Sequence, residues 1–334
     1  MDEPSNDSAA SSGGDQYIHN KLESTERQEV LHFCFRHTSK GAFRRSTIIA
    51  RAAAADKAGT AYRVLEIGCG AGFTTLDVAE WLPSRATITA IDTNETMIAS
   101  ARERLSTNHP EWTSNYESNE RRQDRVSFQV MSGEEAASTF PNQYDAVWMR
   151  YLVVHVPDPV ALLRAAAACL KPGGIMLVED MNADGFVSDP PLYANDLIHR
   201  AHIAASLKLG ADIRRGPKIG GYLRQIGMED ISNHAFVPLF GKGVAIQPWC
   251  DDADDGDFDS DWHCEQGMQL LRMSLESAAP NFLQLETCTK QELDIARESL
   301  SEVESADYQL FSVPGGQMYQ WWGVKPNAKV NADF

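Results

Sequence analysis

The chain contains 334 residues, of which 43% are hydrophobic and 23% are charged. These fractions exclude a chain that is disordered throughout. The formal net charge of −17 would repel phosphate backbones, so nucleic acid is disfavoured as a substrate or partner. Residues 1–15 carry very few apolar side chains to offset the entropy lost on ordering, and we expect a disordered tail there.

The sequence indicates no membrane partner and no disulfide framework. The N-terminus lacks the basic and apolar regions of a signal peptide, and no apolar run approaches the roughly 18–20 residues of a membrane span, so we expect a cytoplasmic protein. The six cysteines are scattered without a CxxC pair, which argues against both disulfides and a structural zinc site.

The first half of the chain alternates between strand-like and helix-like segments. Runs of β-branched and aliphatic residues predict these strands: Val64–Ile67, Ala86–Asp92, Arg125–Met131, Tyr144–Val156 and Ile175–Met181. Between them the apolar residues follow helical spacing, and Asn94 is placed to cap the helix after the second strand. The alternation predicts a parallel, doubly wound α/β sheet, whose ligands bind at the carboxyl ends of the strands where the strand order reverses.

Beyond Asp189 the pattern changes. It predicts, in chain order, two helices, a strand, a long polar helical region and a last strand: residues 190–210, 220–227, 230–240, 262–310 and 316–326. The helical region would be an insertion between two antiparallel strands beside the ligand edge, either as a lid or as plain packing. The acidic loop 251–261 resembles a calcium loop but has Trp262 where such a loop ends in Glu, so we interpret it as a solvated loop.

Three glycines crowd the turn after the first strand, in "EIGCGAG", Glu66–Gly72. A dinucleotide fingerprint, G-x-G-x-x-G, needs glycine where Phe73 stands, so an NAD-dependent oxidoreductase is disfavoured. Asp92 ends the second strand, where a carboxylate can accept both hydroxyls of a ribose. A predicted ribose contact without a pyrophosphate-binding fingerprint indicates that the ligand is a nucleoside rather than a dinucleotide.

The chain resembles the class I S-adenosylmethionine-dependent methyltransferases in four segments that follow the family's order: "VLEIGCGAG", "ITAIDTNETMIASAR", "YDAVWMRYLVVHVPDP" and "CLKPGGIMLVED". The match covers about residues 62–180, and a looser likeness to UbiE-like small-molecule methyltransferases continues to residue 326. The resemblance implies a Rossmann-like, mostly parallel seven-stranded sheet with an antiparallel last hairpin and a helical cap. It implies S-adenosyl-L-methionine as cofactor, covering N-terminal helices over 16–60, a cofactor-binding core over 61–189 and acceptor-side helices within 190–334.

The resemblance also assigns cofactor contacts. Glu66 would support the glycine loop or bind the amino group of the methionine moiety, and Asp92 would bind the ribose. The family places an aspartate soon after the third strand to meet the adenine; Ser132 and Gly133 stand there instead, which departs from the family's pattern. The remaining implied contacts are Gly68, Cys69 and Gly70 beside methionine and ribose, Thr93 and Met97 beside adenine, the backbone of Arg150 near methionine, and Tyr17 over its carboxylate end.

Methyl transfer from a sulfonium is an in-line displacement, so alignment supplies most of the acceleration, and a base is needed only when the acceptor must lose a proton. His155 and Asp180 follow the fourth and fifth strands at the ligand edge and are the candidate catalytic residues. A role in fixing the loop stays open for His155. Glu179 would point away from Asp180 by strand alternation.

Other polar and aromatic residues of the second half are weaker candidates. His199 and His202 share a helix face that could look into the acceptor pocket. Together with Asp196 they lack a fourth metal ligand, so no metal is expected. Trp321 and Trp322 would face opposite sides of the last strand, and core packing is favoured over a place in the acceptor pocket.

The sequence therefore predicts a methyltransferase acting on a small organic acceptor, a specialised metabolite, with oxygen slightly ahead of nitrogen as the methylated atom. One alternative is a protein of this fold that uses the sulfonium for a non-methylating reaction such as cyclisation. Another is a non-catalytic sensor that binds the cofactor. Monomer and homodimer remain equally open.

Overall fold

The computed structural model describes residues 24–113, 124–185, 188–240, 260–303, 310–312 and 316–327. The predictions for the tail 1–15, for Tyr17 and for residues 251–259 of the acidic loop lie outside the described residues. No helix of the described residues combines the length and the apolar character that crossing a membrane requires.

The strands of the described residues form one large sheet and one small sheet. In chain order they are β1 (Arg63–Ile67), β2 (Thr87–Asp92), β3 (Val126–Val130), β4 (Tyr144–Arg150), β5 (Leu170–Asn182), β6 (Ser188–Asp189), β7 (Glu229–Phe236), β8 (Leu239–Phe240), β9 (Leu310–Ser312) and β10 (Gln317–Val324). The large sheet has the order β3-β2-β1-β4-β5-β10-β7, and the small sheet has the order β6-β9-β8.

Helices cover both faces of the large sheet and its carboxyl edge. In chain order they are α1 (Ser24–Arg45), α2 (Ile48–Lys57), α3 (Phe73–Trp81), α4 (Glu95–Asn108), α5 (Gly133–Thr139), α6 (Pro159–Cys169), α7 (Tyr193–Lys208), α8 (Ile219–Gln225), α9 (Ser260–Gln284) and α10 (Lys290–Val303). Asn94 caps α4 as predicted, because its side chain accepts the backbone N–H groups of Thr96 and Met97.

The large sheet confirms the predicted Rossmann-like fold. Strands β1 to β5 run parallel, whereas β10 is antiparallel to both β5 and β7. Strand order reverses between β1 and β4, since the chain moves outward from β1 to β3 and then returns to the other side of β1. The loops that follow β1 and β4 therefore meet at the point where ligands bind in such sheets.

Two predicted strands have different ends in the structure. The fourth strand stops at Arg150 rather than Val156, because Tyr151 takes a left-handed backbone (φ 50°) that breaks the ladder. The fifth begins at Leu170 rather than Ile175. There the backbone of Lys325 pairs with Gly173 and Gly174, at 2.9 Å in both directions, and this pairing extends the strand.

The predicted strand over residues 230–240 is two strands. It breaks between β7 and β8 at residues 237–238, where Pro238 has no N–H to continue a ladder. β8 then leaves the large sheet and pairs with β9. The small sheet was not predicted, because its strands are only two or three residues long and come from distant parts of the chain.

The first helix, α1, is fastened to the sheet by a buried polar row. Arg150, Glu179 and Gln320 are neighbours across β4, β5 and β10. On α1, Ser39 donates to Glu179 Oε1 at 2.8 Å and accepts from Arg150 at 3.2 Å. Gln320 donates to Glu179 Oε2 at 2.5 Å and to the carbonyl of Thr38 at 2.9 Å. These bonds place α1 over the carboxyl edge.

The predicted insertion consists of α9 and α10, and it shares one apolar core with α1 and α7. Phe35 of α1, Ala201 of α7, Leu271 of α9 and Ala296 of α10 all belong to this core, and each is fully buried. The helices of the insertion are therefore integral to the fold on the side of α1 and α7.

Trp321 and Trp322 point to opposite faces, as predicted, and both are partly buried. The indole N–H of Trp321 donates to the carbonyl of Gly216 at 2.9 Å, and its ring lies directly against Gly220 of α8. The indole leaves no room for a Cβ at Gly220.

Two adjacent glycines of α8 provide a matched test of this packing. A Cβ on Gly220 would overlap the Trp321 ring, whereas a Cβ on Gly221 would have no atom within 4 Å. Gly220→Ala should lower the free energy of unfolding by about 1–3 kcal/mol through overpacking. Gly221→Ala should raise it by roughly 0.5–1 kcal/mol through helix propensity. Urea denaturation of both variants measures the two signs, and equal shifts would contradict the packing.

Candidate functional site

The glycine loop between β1 and α3 is a bare backbone turn. Gly68, Gly70 and Gly72 have φ values of 77°, 53° and 76°, a region in which other residues are strained. The N–H groups of Gly68 and Cys69 donate to the carbonyl of Ile91 at 2.8 and 3.1 Å, which ties the loop to the end of β2. The three glycines are therefore required by the conformation of the loop itself.

Phe73, which stands where a dinucleotide fingerprint has glycine, is covered on its ring by two side chains. The Arg104 guanidinium carbon lies 3.4 Å from the ring centroid, and His32 of α1 stacks on the ring at 5.9 Å. Arg104 also donates to the carbonyl of Ala71 in the glycine loop. Phe73 therefore anchors the start of α3 through its ring contacts with Arg104 and His32.

Asp92 links β2 to the glycine loop. Its Oδ2 accepts the N–H of Gly70 at 2.9 Å, and its Oδ1 accepts the N–H of Asn94 at 2.9 Å. Burial raises the pKa of Asp92, while these backbone hydrogen bonds oppose the shift. After Asp92, Thr93 is exposed and Met97 is buried beneath α1, where the hydroxyl of Thr25 lies 3.8 Å from its sulfur.

Ser132 and Gly133 begin α5 after β3. The Ser132 hydroxyl accepts the N–H of Glu135 at 3.1 Å, and the Glu135 carboxylate accepts the N–H of Ser132 at 2.7 Å, which forms a capping box. A Cβ on Gly133 would lie 2.9 Å from Leu162. The hydroxyl of Ser132 is thus used to start the helix.

Glu66 and Cys69 are buried beside the loop. Burial raises the pKa of Glu66 to about 7, although the Thr75 hydroxyl donates to Oε2 at 2.6 Å and Arg150 lies close enough to oppose the shift. Burial also raises the pKa of the Cys69 thiol, and Glu66 and Asp92 add to that shift. The thiol is therefore protonated and its Sγ lies 3.6 Å from the carbonyl of Gly70.

Helix α1 lies over the glycine loop and α3. Gln28 Oε1 accepts the N–H of Ala71 at 2.9 Å, and a Cβ on Gly70 would come within 2.5 Å of the same oxygen. His32 lies 3.2 Å from both the hydroxyl of Thr74 and the carboxylate of Asp77. The same Thr74 hydroxyl accepts from Arg150 at 2.7 Å. The Arg150 side chain therefore links the end of β4 to the first turn of α3, next to the glycine loop.

The two acids of β5 point in opposite directions, as alternation predicts. Glu179 faces α1, whereas Asp180 accepts the N–H of Val154 at 3.2 Å and that of Met181 at 3.0 Å. Burial raises the pKa of Asp180 to about 7, although the backbone N–H groups of Met181, Val154, Val153 and Leu152 oppose the shift. Asp180 thus holds the loop that follows β4.

His155 lies near His202, and Arg27 of α1 lies near both. Burial, with the charges of Arg27 and Arg215, lowers the pKa of His155 to about 3. Burial also lowers the pKa of His202 to about 3, with His155, Arg27 and His199 adding to the shift. Both imidazoles are therefore neutral at ordinary pH. Within the described residues, no group of three or more His, Cys, Asp or Glu is arranged to hold a metal ion.

Sequence reasoning missed Gln28 and His32, which reach the glycine loop and α3 from α1. A usable signal was present, because Gln28, His32 and Arg36 recur every four residues and so share one face of the helix. It also missed Tyr151, whose left-handed backbone has no local sequence signal.

Together these elements form a cradle at the switch point. The backbone of Gly70 lies so close to the Gln28 side chain that a Cβ on Gly70 would overlap it, and the partly buried carboxylate of Asp92 lies beside the loop. A carboxylate has about four lone-pair sites, so Asp92 can still accept a hydroxyl beside the N–H groups of Gly70 and Asn94. The residues present therefore fit a nucleoside-bearing ligand without a pyrophosphate.

The chain is similar to known methyltransferases. A family model described as a methyltransferase domain matches residues 35–232. The ubiquinone biosynthesis O-methyltransferase of Xanthomonas campestris pv. campestris (strain B100) is 29% identical over 182 residues, which cover 53% of this chain and 67% of that protein. The protein of the same name from Xanthomonas euvesicatoria pv. vesicatoria (strain 85-10) is 30% identical over 182 residues, which again cover 53% of this chain and 67% of that protein.

Solved structures are similar at lower identity. Haemonchus contortus phosphoethanolamine N-methyltransferase 2, in complex with S-adenosyl-L-methionine, matches with a TM-score of 0.44 and 19% identity. The match covers 80% of this chain and 49% of that protein, so this chain spans about half of its length.

The raised pKa of Glu66 implies that the free energy of unfolding depends on pH. Because the folded pKa of about 7 lies above the ordinary value of 4.5, the folded state holds the proton more tightly, and this contribution is lost as the pH rises from 4.5 to 7. Glu66→Gln keeps an acceptor for Thr75 and cannot ionise. The variant should match the wild type near pH 4.5 and exceed its free energy of unfolding by up to about 3 kcal/mol near pH 8.

Chemical denaturation across this pH range measures the difference. Glu134→Gln, at an exposed position of α5, is the control and should show no pH-dependent gain. A difference between Glu66→Gln and the wild type that stays constant with pH would contradict the buried, proton-holding Glu66.

Proposed function

Since the chain belongs to the methyltransferase family whose model matches residues 35–232, we propose that it transfers a methyl group from S-adenosylmethionine to a small organic acceptor, with oxygen favoured over nitrogen. S-adenosylmethionine is the cofactor of this family. The observation that carries the proposal is the cradle of left-handed glycines with Asp92 at its rim, at the reversal of strand order. The name O-methyltransferase on the curated relatives supports the preference for oxygen.

Asp92 and the glycine loop would hold the nucleoside half of the cofactor. Asp92 would accept the ribose hydroxyls, while Gly68, Cys69 and Gly70 would approach the ribose and methionine with bare backbone. Thr93 and Met97 follow Asp92 and would border the adenine, with Ser132 and Gly133 on its other side. When bound, the cofactor supplies an electrophilic methyl group on a positively charged sulfur.

Helix α1 would cover the methionine half of the cofactor and keep water out. Gln28 already contacts the loop, and the Ser39 and His32 contacts hold the helix in place. Glu66 would support the loop through Thr75, and the backbone of Arg150 would lie near the methionine. The region 16–60 would thus serve the cofactor, whereas α7 and the insertion of α9 and α10 would surround the acceptor.

His155 and Asp180 would help to position the acceptor, and they would not act as the general base that takes the acceptor's proton. With a pKa near 3, the His155 imidazole can accept a hydrogen bond, but it is too weak a base to retain a proton taken from a phenol or alcohol. The Asp180 carboxylate binds the backbone of the loop that carries His155. Most of the acceleration would therefore come from alignment of acceptor, methyl group and sulfur.

Asp92→Ala tests the cofactor assignment. Loss of a charged acceptor of the ribose hydroxyls should weaken binding of S-adenosylhomocysteine by roughly 1–3 kcal/mol. Titration calorimetry on the full chain measures the change, with NAD as the parallel ligand that should not bind. Asp145→Ala is the matched control, because Asp145 also accepts a backbone N–H, that of Arg63 at 2.8 Å, but near the amino ends of the strands.

Unchanged affinity for S-adenosylhomocysteine in a folded Asp92→Ala protein would contradict the assignment of Asp92 to the cofactor site. Binding of NAD in place of S-adenosylhomocysteine by the wild type would overturn the proposed function. Formation of S-adenosylhomocysteine from S-adenosylmethionine in the presence of phenols, carboxylic acids or amines then separates methyl transfer from a reaction that leaves the methyl group in place.

A further inference from the structure

Tyr151 has a strained backbone at the carboxyl end of β4. Its φ of 50° lies in the left-handed region, which is costly for an aromatic residue. Strand alternation would send its side chain toward the face of Met149, because Arg150 points toward α1. The left-handed turn instead packs the Tyr151 ring edge-on against Phe35 of α1, with centroids 5.9 Å apart. The left-handed backbone thus directs the phenol ring of Tyr151 toward α1, on the side where α7 and the insertion also lie.

The structure holds Tyr151 in this conformation from several sides. Its N–H donates to the carbonyl of Glu179 at 2.9 Å. Asp180 accepts the N–H of Val154, and Arg215 donates to the carbonyl of Val153 at 3.2 Å and to that of Val156. Strained residues that are fixed so firmly are concentrated at functional sites.

The loop of Tyr151 borders the glycine loop. The side chain of Leu152, the next residue, would lie 3.0 Å from a Cβ on Gly68. Tyr151 therefore stands between the cradle proposed for the cofactor and the helices proposed for the acceptor.

The phenol hydroxyl of Tyr151 has a weak partner. It donates to the thioether sulfur of Met318 at 3.3 Å, and a thioether is a poor hydrogen-bond acceptor. Burial raises the pKa of Tyr151 well above its usual range, with Glu179, Asp180 and Cys34 adding to the shift and Arg150 opposing it. The hydroxyl therefore remains a donor at every working pH and can exchange the sulfur for a better acceptor.

We propose that Tyr151 binds the methyl acceptor, by donating a hydrogen bond to an acceptor oxygen that reacts as an anion, such as that of a phenol. This inference rests on the proposed function and deepens it. The acceptor loses its proton to solvent, its oxygen forms the bond to the methyl carbon, and the electron pair of the breaking carbon–sulfur bond stays on sulfur. Tyr151 keeps its own proton throughout and fixes the oxygen in place.

Tyr151→Phe removes the hydroxyl and keeps the ring that contacts Phe35. The probe is 4-nitrophenol, whose absorbance reports its ionisation, added to the full chain saturated with S-adenosylhomocysteine. The wild type should bind the phenolate form and ionise the probe at lower pH than in water. Tyr151→Phe should bind it about tenfold more weakly and shift its ionisation back toward the value in water, with unchanged affinity for S-adenosylhomocysteine.

Two further variants separate ligand binding from packing. Met318→Leu preserves the volume but removes the sulfur, so it should leave phenolate binding equal or tighter, whereas a purely structural Tyr151–Met318 contact predicts that both variants behave alike. Tyr222→Phe, a partly buried tyrosine of α8, is the control and should change nothing.

The outcomes are distinguishable. If S-adenosylhomocysteine binds but 4-nitrophenol does not bind saturably, or binds and ionises identically with Tyr151→Phe, this assignment is overturned and the proposed function stands. If S-adenosylhomocysteine fails to bind the wild type, the proposed function falls and this inference falls with it.

Discussion

Helix α1 is held in position by hydrogen bonds to the buried carboxyl of Glu179 and the partly buried guanidinium of Arg150. Glu179 accepts from Ser39 and Gln320, and Arg150 donates to Ser39 and Thr74. Removing one member would leave a buried polar group without its hydrogen-bond partner, which costs about 1–3 kcal/mol. The network therefore penalises any other placement of α1. The contacts of Gln28 with the glycine loop depend on that placement.

The same helix contacts both the region proposed for the cofactor and the region proposed for the acceptor. Toward the cofactor side, His32 and Gln28 reach α3 and the glycine loop. Toward the acceptor side, Phe35 packs against both Tyr151 and Phe240. A shift of α1 would disturb both contacts at once, because close-packed interiors do not deform continuously. The glycine loop and the side of Tyr151, proposed for the cofactor and the acceptor, are thus expected to become ordered together.

The elements that sequence predicted well are those determined by local chemistry. The glycine loop needs a left-handed backbone at three of five positions, and residues other than glycine rarely adopt it. The glycines Gly68, Gly70 and Gly72 therefore mark the position of the loop in the sequence. Asp92 and the cap at Asn94 follow a strand end in the same local way. Periodicity was enough to predict the alternating strands and helices of a parallel, doubly wound sheet, whereas the seven-stranded Rossmann-like form followed from the family resemblance.

The remaining features depend on distant parts of the chain. Ser39 meets Glu179 across 140 residues, and Gln320 meets Thr38 across 282, so no local pattern marks either contact. The end of β4 was misplaced for the same reason, since residues 151–156 are as apolar as a strand.

The loop that begins at the left-handed Tyr151 is supported by Asp180, one residue beyond Glu179 on β5. Alternation sends the first acid to α1 and the second to the loop after β4. Asp180 accepts the N–H of Val154, so this backbone is satisfied without a strand partner. Both carboxyls are buried, and burial raises the pKa of each. Two consecutive acids of β5 thus hold the covering helix on one side and the loop after β4 on the other, so both elements that border the proposed site are fastened to the same strand.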